Sequence, residues 1–172
     1  MASQSKGKQS SKGQQKIPWM WIALGALVVL AVASIIWREQ TRQTFILTEG
    51  DKTVVVLIRT DDEGHYRLQY VGKKPVEVRS LVVMLRGEIL HMDVQQVVIA
   101  KDGQEWTLQQ GKLPSDVHLT LKDGETFDVR VTFHGQSLGR NLLWGFRLGY
   151  MSGQIEKSLD VVVDPEYLIA VE

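Results

Sequence analysis

The residues best suited to holding a metal are His65, His91, His118 and His134, with Met84, Met92 and Met151; the chain has no cysteine. His91-Met92-Asp93 sets a soft thioether beside an imidazole, a donor pair that suits copper. With Met84 it gives the candidate metal set His91, Met92 and Met84. No two histidines stand at the i, i+2 spacing that shares one strand face. Without a thiol, thiolate zinc sites, cysteine nucleophiles and disulfide scaffolds are excluded.

Other chemistry has less to stand on. No serine lies in a G-x-S-x-G elbow. Asp61-Asp62-Glu63 is an acidic cluster ahead of Gly64, but it lacks the alternating ligands of a calcium loop and reads as a hairpin loop. Gly139-Arg140 reads as a turn, not a phosphate cradle. The expectation is a chain that is not an enzyme and needs no cofactor. The alternative is a small-ligand or metal carrier built on the copper-type set.

One stretch looks more like a surface than a catalyst. In Leu142–Gly153 (LLWGFRLGYMSG), Trp144, Phe146, Leu148 and Tyr150 fall on one face at strand period, and Gly145, Arg147 and Gly149 on the other. Glycines inside a strand weaken it and often mark a close backbone approach. Gly145, Arg147 and Gly149, with His134 nearby, are therefore the candidate partner-binding residues.

These residues need elements to position them, and the chain divides sharply. Residues 1–16 are a Ser/Gln/Lys/Gly tract with Lys6, Lys8, Lys12 and Lys16 and no acid, read as a disordered basic cytoplasmic tail. Residues 17–37 carry no charge and would span roughly 31 Å as a helix, the thickness of a bilayer core. Trp19 and Trp21 at one end and Trp37 at the other are candidate interfacial anchors. Arg38, Glu39 and Arg42 follow, so the positive-inside rule keeps the N-terminus cytoplasmic and exports the rest. A cleaved signal peptide ending at Ala31-Val32-Ala33 is the rival reading. Residues 38–43 read as a juxtamembrane linker.

From residue 44 to 172 the hydrophobic period becomes two, with turn signals every eight to twelve residues. The pattern predicts strands near 44–48, 53–59, 66–71, 76–86, 89–100, 105–109, 117–122, 125–134, 142–150 and 158–163. About ten short strands predict two packed sheets, an Ig-like or Greek-key sandwich, behind a single transmembrane helix. Lys122-Asp123-Gly124 predicts a hairpin with Gly124 left-handed, pairing Leu119 with Phe127 and His118 with Asp128. The same logic at Lys101-Asp102-Gly103 pairs Val98 with Trp106. Asp164–Glu172 reads as a final edge strand.

Charge settles the partner classes. From Gln43 onward there are 14 basic and 19 acidic residues, a net of −5, with no basic stripe for nucleic acid. The expected partners are the lipid bilayer, through residues 17–37, and another membrane or envelope protein. The sequence thus leads to an exported accessory or scaffold subunit of a cell-envelope complex, held by one span in the plasma or inner membrane.

Overall fold

A computed structural model of the chain describes residues 19–172, with side chains from 23 to 37 and from 42 onward. The basic tail, and the side chains of Trp19 and Trp21, lie outside the described residues. Two units are present, Met1–Gln40 and Thr41–Glu172.

Among the described residues the first unit carries the helix α1, Trp19–Thr41, whose last residue is counted with the second unit, and its described part has no polar stripe. Its side chains are open, with Leu27 67%, Leu30 70% and Ile35 62% exposed. Among the described residues no helix is long and apolar enough to cross a membrane. The helix continues through Thr41 and the first strand begins at Gln43, so most of the stretch 38–43 read as a linker is helical.

The second unit is two five-stranded sheets. Its strands are β1 (Gln43–Gly50), β2 (Thr53–Val56), β3 (Asp61–Gly72), β4 (Val76–Arg86) and β5 (Met92–Lys101), then β6 (Gln104–Thr107), β7 (Leu119–Leu121), β8 (Thr126–Gly135), β9 (Gly139–Ser152) and β10 (Ile155–Val171). The first sheet has the order β1-β3-β8-β5-β6 and the second β2-β10-β9-β4-β7. Strand number and the two-sheet plan match the sequence reading. Only β5–β6 and β9–β10 are hairpins within a sheet; every other connection changes sheets.

The core lies between the sheets and is aromatic. Phe45 of β1 meets Tyr70 at 5.2 Å and, across the sandwich, Tyr150 of β9 at 5.5 Å. Tyr66 of β3 meets Phe146 of β9 at 5.2 Å and stacks on Tyr167 of β10. Such tilted and edge contacts suit the ring quadrupole and add to the apolar area removed from water.

Several expectations are corrected by this topology. The hairpin over Lys122–Gly124 does not exist: β7 pairs with β4 and β8 with β3 and β5. Leu119 and Phe127 do both face the core, but from opposite sheets, so agreement of faces misled the pairing. Gly124 is left-handed as expected (φ 79°), in a turn bonded to β3: the Gly124 N–H donates to the Tyr70 carbonyl, and the Tyr70 N–H donates to the Glu125 carbonyl. At Asp102-Gly103 both residues have positive φ, which fits a two-residue type I′ turn. That turn pairs Ile99, not Val98, with Trp106.

The acidic stretch Asp61–Gly64 is not a loop but the start of β3, paired with His134 to Val131 of β8. Gly64 makes this possible, because a Cβ there would sit 2.6 Å from the Tyr66 hydroxyl oxygen. The end of the chain is not an edge. Leu168–Val171 of β10 lies between β2, which it pairs in parallel, and β9, which it pairs antiparallel. Finally, β5 starts at Met92 rather than at residue 89. The connection before it is held by Asn141, the one buried polar side chain among the described residues. Asn141 donates to the Ile89 carbonyl and accepts from the His91 N–H, each at 2.9 Å.

Candidate functional site

The central strand β9 places the predicted residues. Phe146, Leu148 and Tyr150 point into the core, and Gly145, Arg147 and Gly149 point outward, as the alternation predicts. Trp144 breaks the pattern. It is a bulge residue, unpaired on both sides: β4 pairs Leu143 and Gly145 with adjacent residues, and β10 omits Val163–Glu166 opposite it. Leu143 takes the inward place instead, fully buried, and Trp144 is half-buried.

Register builds the outer face of the second sheet in rows across β4, β9 and β10. Ser80, Gly149 and Ser158 form one row; Val82, Arg147 and Asp160 the next; then Met84, Gly145 and Val162. Beyond the bulge, Arg86, Leu142 and Leu168 form a fourth. The glycines are crowded, not merely small. A Cβ on Gly149 would meet the Ser80 Oγ at 2.3 Å, and one on Gly145 would meet the Val161 carbonyl oxygen at 2.3 Å. A shallow groove runs beside Gly149, between Ser80 and Val82 on one side and Glu156 to Ser158 on the other, with Arg147 at its end.

The face is apolar between two ion pairs. Val82 and Val162 are 48% and 53% exposed, and Met84, Leu142 and Leu168 are half-buried beside them. Arg147 grips Asp160 with two bonds, Nε to Oδ1 at 2.7 Å and Nη2 to Oδ2 at 2.9 Å. This hydrogen bonding raises the guanidinium pKa and holds the Asp160 carboxyl below the usual carboxylate range. Arg86 pairs Glu166 at 3.1 Å.

His134 does not join this site. It lies on the outer face of the other sheet, where its Nδ1 bonds Asp61 at 2.6 Å. The reason is that β8 and β9 are joined by a connection that changes sheets, so neighbours in sequence look outward in opposite directions.

The other predicted residues stand apart from one another. Met92 is fully buried in the core, Met84 reaches over Gly145, and the His91 ring bonds Ser137 Oγ at 2.9 Å, so His91, Met92 and Met84 do not converge. Among the described residues no group of three or more histidine or acidic side chains could hold a metal ion. His118 bonds Glu77, while Asp128 is taken by Arg67 at 2.6 Å, so their predicted pairing is absent. Burial, with Asp51 and Tyr167 behind it, pushes the Tyr66 hydroxyl up, so it keeps its proton in the core.

No protein-family model matches the chain, and no curated protein matches it. Several solved structures are similar to it. One is the ASH / PapD-like domain of human CEP192, at 11% identity and a TM-score of 0.37, covering 77% of this chain and 85% of that one. Another is a CARDB domain from Pyrococcus furiosus solved in complex with di-metal ions, at 12% identity and a TM-score of 0.37, covering 78% and 90%. A third is the sporulation control protein Spo0M of Bacillus subtilis, at 18% identity and a TM-score of 0.34, covering 76% of this chain but 49% of that one. None of them assigns a role to any residue.

The sequence reading found Gly145, Arg147 and Gly149 but missed Asp160, Val82, Met84, Val162, Leu142 and Leu168. A signal was there. A strand buried on one face alternates, yet Leu81–Leu85 and Val161-Val162-Val163 are unbroken apolar runs, which means both faces are apolar.

Proposed function

We propose that this chain is a single-pass membrane protein whose extracytoplasmic β-sandwich docks another protein, as a non-enzymatic accessory or scaffold subunit of a cell-envelope complex. The observation that carries the docking reading is the apolar, exposed outer face of the second sheet around Arg147. A monomeric sandwich covers that surface with polar side chains, and contiguous apolar surface marks an interaction site.

The anchor rests on a separate observation. The uncharged run from Ile17 to Trp37 is 21 residues long, about one bilayer. The described part of α1 exposes leucine, valine and isoleucine on all sides, surface that water does not favour. Four lysines precede the run, which favours a cytoplasmic N-terminus and an exported sandwich.

The test is made on native membranes. The full-length chain should resist alkaline extraction, and added protease should reach the sandwich only from the extracytoplasmic side. In mild detergent it should copurify with a stoichiometric protein partner, and Val82→Glu should release that partner without unfolding the domain. A chain released by alkali would overturn the anchor. A partner retained by Val82→Glu would overturn docking on this face.

A further inference from the structure

We infer that the outer face of the second sheet is self-complementary and that its occupant is a second copy of this chain. The inference rests on the docking reading of that face and names the partner. The two cations of the patch, Arg86 and Arg147, stand on β4 and β9, and their two anions, Glu166 and Asp160, both belong to β10. Charge is therefore graded across the strands, positive toward β4 and negative at β10, with the patch neutral as a whole.

Symmetry turns that gradient into a match. A two-fold axis parallel to the strands and passing over β9 lays β10 of one copy above β4 of the other. Glu166 and Asp160 of each copy then lie over the β4 side of the other, where Arg86 stands, and the two Arg147 side chains meet over the axis between the two Asp160 carboxylates, an isologous arrangement. Val82, Met84, Leu142, Val162 and Leu168 supply the apolar centre, with the bulged Trp144 between the rows of Leu142 and Gly145. Both surfaces are sheet faces, which pack on each other at about 10 Å.

Area sets how tight the pairing is. Three strands at about 4.8 Å spacing and some eight residues at about 3.3 Å give a footprint on the order of 400 Å² per copy. That is about half the 800 Å² or so per partner of a standard interface, so the pair is weak in dilute solution. Two copies confined to one bilayer meet at high effective concentration, and pairing there needs little more contact.

The absence of cysteine makes the test clean, since any thiol introduced is the only one. Leu142→Cys, on β9 near the axis, should cross-link to itself in membrane vesicles under mild oxidation, giving a band at twice 19.4 kDa. Thr132→Cys, on the outer face of the other sheet, should not. Adding Val82→Glu, which sets an acid against the partner copy's β10 anions, should lower the Leu142→Cys yield about tenfold, whereas Val82→Lys should preserve it. Both substitutions are on an exposed side chain, and an unchanged melting temperature checks that each variant folds.

Equal loss with Glu and Lys would overturn the charge match. No Leu142→Cys cross-link, together with a different stoichiometric protein released by Val82→Glu, would overturn the second copy while leaving the docking face intact. If neither charge at Val82 alters any association, both readings fail.

Discussion

The two outer faces of the sandwich differ at their centres: around β8 the first sheet is polar and ion-paired, and around β9 the second carries Val82, Met84, Leu142, Val162 and Leu168 between two ion pairs. On the first sheet β8 reads Thr126-Phe127-Asp128-Val129-Arg130-Val131-Thr132-Phe133-His134, a strict alternation. Its outward residues are tied to neighbours: Asp128 to Arg67, which also holds Glu49 at 3.0 Å, Arg130 to Glu105, and His134 to Asp61. Such a face is content in water. On the second sheet the alternation fails, and Leu81–Leu85, Leu142–Trp144 and Val161–Val163 keep apolar side chains on both sides. The difference teaches that apolar outer surface on a sandwich is read where the binary pattern stops, not where charges cluster. The shallow cleft on the first sheet, lined by Glu49, Arg67, Glu105, Asp128 and Arg130, is full of charge, but these groups already satisfy one another.

One core lies beneath both faces, and the largest expected effect tests that. Phe146→Ala removes a fully buried ring that touches Tyr66 of the opposite sheet, and should cost about 3–5 kcal/mol in chemical denaturation. Hydrogen exchange should accelerate in β8 and β9 together; acceleration confined to β9 would mean that the sheets are held independently.

Asn141→Ala is next. It leaves the Ile89 carbonyl and the His91 N–H without their buried partner, at about 2 kcal/mol. Exchange should rise first across 87–91, and wild-type protection there would show that the clip is dispensable. Gly124→Val, at φ 79°, should cost about 1–2 kcal/mol, since a β-branched residue resists that conformation. An unchanged melting curve would mean that the turn relaxes freely.

The smallest effect concerns acid. Asp160 is held below its ordinary value near 3.8 by the Arg147 hydrogen bond and charge. A depressed carboxyl stabilises the fold above its unfolded pKa, and the contribution is lost as pH falls through the folded value, here below about pH 4. Arg147→Met should remove that contribution, giving a small loss of stability at neutral pH and a flatter decline below about pH 4 in a pH-resolved melt. A neutral-pH loss larger than the acid effect would mean that Arg147 packs rather than pairs.

Much of this was legible because side-chain direction is local. Ten strands, the left-handed Gly124 and the outward set Gly145, Arg147 and Gly149 all follow from period two and turn chemistry. Pairing is not local. Leu119 and Phe127 face one core whether they are neighbours in a ladder or opposed across a sandwich, and no periodicity separates the two cases. His134 was set beside Arg147 by the same error. Trp144 was misplaced because a bulge adds one residue, and everything before it in the strand then points the other way. Asn141 gave no advance sign; its partners sit about fifty residues away in sequence, on a connection whose path only the fold determines.

The joint between α1 and β1 also has a mechanical meaning. With only Arg42 between the helix and Gln43, tension on the helix enters the sandwich at the first residue of β1. β1 lies against β3 through seven registered positions, from Gln43 opposite Gly72 to Gly50 opposite Tyr66. A pull along that strand loads the whole ladder in shear, so its hydrogen bonds must give way together, not one at a time as in a strand peeled from its end. A load along β1 is thus shared by all seven positions at once, and β1 leaves β3 as a unit or not at all.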